Sequence, residues 1–109
     1  MNAPRRGNIR RRAPPRGKGD GVLFMVIERF RSREAAEAVY RRFGERGRML
    51  PDGLRYVSSW VAADFDRCFQ LMECDDPRLF EQWIVHWRDL VEFEIVPVAS
   101  SKEAADSIL

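Results

Sequence analysis

His86 is the only histidine in the chain, and imidazole is the one side chain whose ordinary pKa lies near neutrality, so it is the first candidate for moving a proton at physiological pH. It stands three residues after Trp83 and four before Leu90. On a helix that spacing puts it at the edge of an apolar stripe, able to face a pocket between helix and sheet. The bland counterpart is a rim histidine satisfied by water or a backbone carbonyl, and no acid is placed by spacing to partner it. Glu28 is the second catalytic candidate. With Gln70 and Glu73 it interrupts strand-like runs that are otherwise mostly apolar. A covered carboxylate must be paired, hydrogen-bonded or neutralised, so Glu28 or Glu73 is either a site residue or half of a structural ion pair with an arginine such as Arg48. Tyr56, Trp60, Trp83 and Trp87 form an aromatic set large enough to line an apolar pocket for a planar ligand, with Glu28, Gln70 and His86 to tune it. Aromatics at helical spacing more often make plain core. The pocket reading requires a closed cavity of roughly 300 Å³ or more.

Other chemistries find no support. Ser58 and Ser59 have no nucleophile-elbow context, there is no glycine-rich phosphate loop, and a single histidine without a Cys-x-x-Cys pair gives neither a paired-histidine motif nor a zinc set. Neither a metal nor a cofactor is expected. Cys68 and Cys74 fall on one strand, same face, separated by ~20 Å of extended chain, beyond the ~6 Å between Cα atoms that a disulfide needs. They read as free thiols, which suits a reduced, cytoplasmic setting.

The elements that must position these residues follow from punctuation and periodicity. Val22 to Phe30 begins apolar on both faces, as in a central strand. Ser32 is a natural N-cap for a helix from Arg33 to about Arg46 that buries Ala36, Val39, Tyr40 and Phe43, with Gly47 as its stop. Pro51-Asp52-Gly53 supplies a turn. Leu54 to Val61 and Arg67 to Cys74 are close enough to pair as a hairpin. Asp76-Pro77 opens a second helix predicted to run to about Val91, with Phe80, Trp83, Ile84, Trp87, Leu90 and Val91 as its stripe. Phe93 to Val98 is the last strand, and another helical turn can start after Ser101.

The order βαββαβ with right-handed crossovers predicts an α+β, ferredoxin-like domain: an antiparallel four-stranded sheet with two helices on one face. The strands carry apolar residues on both faces, and one helical layer covers only one. The most economical cover for the other is a second copy, which gives a homodimer of the dimeric α+β barrel type. At 109 residues the chain lies near the lower end of what buries a substantial core alone, and a partner makes up the deficit.

Charge divides the chain. Residues 1–20 hold seven of the 19 bases and one of the 17 acids, whereas the remainder is acidic. That basic leader, rich in Pro and Gly, is expected to be disordered, with residues 21–99 as the folded domain and 100–109 as a tail. Nucleic-acid binding through the leader's arginines is the weaker expectation beside a solvated tail or a start placed upstream of the true one. Neither a secretory signal nor a membrane span is present.

Four phrases carry a family resemblance: Leu23-Phe24-Met25-Val26-Ile27-Glu28-Arg29-Phe30, Gly47-Arg48-Met49-Leu50-Pro51-Asp52-Gly53-Leu54, Arg67-Cys68-Phe69-Gln70-Leu71-Met72-Glu73 and Trp83-Ile84-Val85-His86-Trp87-Arg88-Asp89-Leu90. Together they resemble a small bacterial family, domain of unknown function 3303, over about Val22 to Val98. The resemblance implies the dimeric α+β barrel shared with small cofactor-independent monooxygenases, chlorite dismutase-like proteins and stress-response barrels. It implies no activity and no catalytic residues, and likeness of fold to such relatives assigns none. Two functions from different classes follow: a barrel that binds a small apolar or aromatic molecule or acts as a cofactor-independent enzyme, and a non-catalytic binding or scaffold module acting through its dimer surface.

Overall fold

The computed structural model describes residues 21–109; the basic leader lies outside them. The described chain is α+β in the order β-α-β-β-α-β-α. Four strands, β1 (Val22–Phe30), β2 (Arg55–Val61), β3 (Arg67–Cys74) and β4 (Val91–Val98), form one antiparallel sheet in the order β2-β3-β1-β4. The apolar β1 is thus central, where both edges of its backbone are hydrogen-bonded.

Helix α1 (Arg33–Arg46) starts where the sequence places it, with the Ser32 hydroxyl accepting from the Ala35 amide and Glu34 in the first turn against the positive end of the helix dipole. Gly47, at φ 70°, ends it by returning its amide to the Phe43 carbonyl. Helix α2 (Leu79–Ile84) is shorter than predicted. Its entrance uses Asp76, whose carboxylate accepts from the Arg78 amide and whose carbonyl accepts from Leu79. Beyond Ile84 the chain runs in turns, and β4 begins at Val91, two residues before the predicted strand. The sheet takes these residues from the helix: Val91 pairs with Phe30, and the Leu90 carbonyl accepts from Arg31. Helix α3 (Ser101–Ile108) has a reciprocal capping box between Ser100 and Glu103 and buries no residue.

Alternation assigns the two faces. Phe24, Val26, Met72 and Cys74 form a core with Leu54, Phe80, Trp83 and Trp87, and Val39 of α1 packs against the same cluster. Leu23, Met25, Ile27, Phe69, Leu71, Val96 and Val98 occupy the opposite face and stay partly exposed. A β-bulge decides where the β2 aromatics go. Tyr56 opposes Met72, the register then shifts, and Ser58, Ser59 and Trp60 oppose Leu71, Gln70 and Phe69. The extra residue, Val57, reverses the alternation. Trp60, expected beside Tyr56 in the pocket, therefore lies on the opposite face with Phe69, 54% exposed.

Candidate functional site

Glu28 faces the helices because it follows Phe24 and Val26 at strand spacing. Only 6% of it is exposed. Across the sheet it pairs with Cys68 on β3, and Gln70 follows two residues along on the same face. The Gln70 amide nitrogen donates to Glu28 Oε2 at 2.5 Å, and its oxygen accepts from Arg48 Nε at 3.1 Å. An arginine can only donate, which fixes the Gln70 amide orientation. Arg48 is therefore joined to Glu28 through Gln70 rather than by the direct ion pair the sequence suggested. Glu73, the other strand carboxylate, pairs with Arg55 at 3.2 Å on the opposite face and takes no part.

Arg48 belongs to the connection after α1, and several groups hold it. Its carbonyl accepts from both indoles, Trp83 Nε1 at 2.9 Å and Trp87 Nε1 at 3.1 Å. Its guanidinium lies 3.6 Å from the centre of the Tyr56 ring and 5.0 Å from that of Phe43, within the range of cation–π attraction. Gly47 and Met49 on either side of it are both left-handed, at φ 70° and 62°. That conformation costs a residue with a side chain about 1–2 kcal/mol, and the two indole hydrogen bonds, each contributing about 1 kcal/mol, offset it.

These groups surround an open-sided pocket of about 140 Å³. The sheet contributes Glu28, Phe30, Ser59, Val61, Cys68 and Gln70; α1 contributes Val39, Tyr40 and Phe43; Arg48, Trp83 and Trp87 complete the wall. The pocket is smaller and more open than the cavity expected from the sequence. Tyr40 and Phe43, expected to be buried by α1, are instead 52% and 40% exposed, so the helix borders the pocket without sealing it.

Burial raises the Glu28 carboxyl from its ordinary 4.5 to about 7, against the opposing pull of the Gln70 hydrogen bond and the Arg48 charge. It is thus poised between proton donor and acceptor near neutrality. Burial likewise pushes the Cys68 thiol to about 12, with Glu28 adding to the rise, so Cys68 is no thiolate nucleophile. Tyr40 is also raised, by burial first and then by the charges of Cys68 and Glu28.

Of the residues singled out from the sequence, Glu28, Gln70, Trp83 and Trp87 come together around the pocket, and Tyr56 adjoins it through Arg48. His86 does not join them. The chain leaves regular helix after Ile84, which cancels the spacing that aimed His86 inward; its side chain is exposed and its carbonyl accepts from Arg42. Arg48, Tyr40 and Cys68 are the members the sequence did not single out as a site. Two tryptophans four residues apart, each needing an acceptor for its N–H, were the available signal for the Arg48 connection.

Against known proteins, the model of a domain of unknown function (DUF3303) matches residues 22–108. The chain belongs to that family. In this DUF3303 protein the match runs past the expected boundary near Val98 and takes in α3. Neither a curated protein nor a solved structure matches the chain. Among the described residues no cluster of three or more His, Cys, Asp or Glu could hold a metal, and no helix is long and apolar enough to cross a membrane.

Proposed function

We propose that this DUF3303 protein is a ferredoxin-like domain that binds a small, largely apolar molecule in the Glu28 pocket and uses Glu28 as a cofactor-independent general acid or base. One observation carries the reading: a carboxyl group that titrates near 7 opens onto an apolar pocket and is held by Gln70 and Arg48. Two free thiols, Cys68 and Cys74, suit a reduced, cytoplasmic setting. A screen of single-ring compounds by ligand-observed NMR on the full chain tests it. Hits should bind the unaltered protein and be displaced by Val39→Phe, which fills the pocket. The reading fails if nothing binds, or if Val39→Phe leaves binding unchanged while retaining a folded spectrum.

A second reading, a homodimer of the α+β barrel type that acts as a scaffold through its interface, draws on the opposite sheet face. There Met25, Ile27, Phe69, Leu71 and Val96 form a partly exposed apolar centre, with Arg29, Arg67, Glu92 and Glu94 toward one end. Light scattering on the full chain should give a dimer that Leu71→Lys converts to monomer. A stable monomer at micromolar concentration refutes the assembly.

A further inference from the structure

Arg48 differs from the ion-paired arginines around it. Arg31, Arg42, Arg55 and Arg78 each pair with a carboxylate at the surface. Arg48 is half-buried, spends only its Nε on Gln70, and has no carboxylate at ion-pair distance among the described residues. A desolvated, unpaired cation is costly. Yet the chain fixes this one at its carbonyl, at its Nε and by two aromatic rings near its guanidinium, leaving the two Nη groups without an acceptor among the described residues. The rest of the wall is rich in donors. When Glu28 is protonated its Oε2 accepts from Gln70, which leaves an O–H on Oε1 to donate, and Tyr40 and Cys68 line the same pocket as Glu28. Donors clustered around one fixed positive charge, in a pocket otherwise built of Phe30, Val39, Phe43 and tryptophan, suit an acceptor-rich ligand with a single negative charge.

We propose that the pocket's ligand is a compact aromatic or otherwise apolar monocarboxylate, its oxygens accepting from Arg48 Nη and from the protonated Glu28. This specifies the substrate class of the small-molecule reading above and rests on it. The charged and titratable groups facing Glu28 are Arg48 from the connection, Tyr40 from α1 and Cys68 from β3. An anion opposite Glu28 requires its carboxyl to keep the proton, so binding weakens as pH rises through its titration, about tenfold between pH 6 and pH 8.

The test uses the full chain and three isosteric probes: benzoate, neutral benzamide and cationic benzamidine. Amide chemical shifts of pocket residues locate binding and calorimetry measures it. Benzoate should bind at least tenfold more tightly than benzamide at pH 6, benzamidine should not enter, and Arg48→Gln should abolish the preference while Arg48→Lys restores part of it. If Arg48→Gln does not fold, the probe comparison and the pH dependence on the unaltered chain decide the matter. Benzamide or benzamidine bound in the pocket as tightly as benzoate, or a benzoate affinity indifferent to pH, overturns the anion class and leaves the small-molecule reading standing. No shift at the pocket with any of the three overturns both.

Discussion

Replacing Glu28 with glutamine should stabilise the protein, increasingly so as pH rises. The carboxyl group goes from 4.5 when solvated to about 7 in the folded state, so the native protein binds a proton more firmly than the unfolded chain does. Stability from this group is therefore fully present below about pH 4.5 and is lost as pH climbs through 7. At about 1.4 kcal/mol for each pH unit separating the two values, the loss amounts to about 3 kcal/mol above pH 8. Glutamine holds no proton to lose. Its amide oxygen can still accept from Gln70 Nε2, so the chain of contacts to Arg48 survives the change. Urea unfolding of the unaltered and Glu28→Gln proteins at half-unit steps from pH 5 to pH 9 measures the difference, and every other titrating group is common to both and cancels. The difference should grow from about 1 kcal/mol at pH 5 to about 3 kcal/mol in favour of glutamine at pH 9. A difference that stays flat with pH refutes the premise that Glu28 is desolvated. One that grows in favour of the native residue means the charged form is the stabilised one, and the proton-donor role falls with it.

Three further outcomes follow from the same packing. Cys68 and Cys74, pushed to about 12 and about 11 chiefly by burial, should react with a thiol reagent at pH 8 at least 100-fold more slowly than free cysteine, whose pKa is ≈ 8.5; rapid modification of the folded protein contradicts their burial. Trp83→Phe removes one of the two N–H donors to the Arg48 carbonyl and some buried surface, and should cost about 2 kcal/mol in urea unfolding; a cost below about 0.5 kcal/mol would mean that the Trp87 indole alone holds the connection. Gly53, at φ 96° and with room for a Cβ only 3.0 Å from Leu79, should lose about 1 kcal/mol or more on change to alanine, measured the same way; an unchanged midpoint shows that the turn can relax.

Much of the frame was legible because each signal was local. Ser32 and Gly47 bracket α1 through the hydrogen bonds they supply to its own ends, and the bounds of β3 follow from a run of alternating residues between turns. Glu28 and Gln70 were visible as polar interruptions because a central strand in a covered layer has few reasons to hold them. What escaped depended on competition between elements. The second helix carries an unbroken apolar stripe through Val91, but the sheet needs Val91 beside Phe30. The helix gives way and His86 turns to solvent with it. Trp60 was lost to a single uncounted residue: in strict alternation it shares a face with Tyr56, and the bulge at Val57 is a property of the β2–β3 pair that neither strand announces alone.

Arg48 exposes the same limit more sharply. By residue type and position it is an arginine in a loop, and loop arginines are ordinarily solvated. What changes its standing is convergence of four separate segments: two indoles from the α2 region on its carbonyl, one ring from α1 and one from β2 about its guanidinium, and an amide from β3 on its Nε. None of those partners is needed for a loop to close, and Met49 is held left-handed to complete the arrangement. Gly47 and Gly53 take a positive φ with no side chain to strain, whereas Met49 and, in the β2–β3 turn, Phe65 take it with one. The cost accepted at Met49 goes into fixing one cation beside a carboxyl that titrates near 7, and strain accepted to fix a side chain is more characteristic of a site than of a connector.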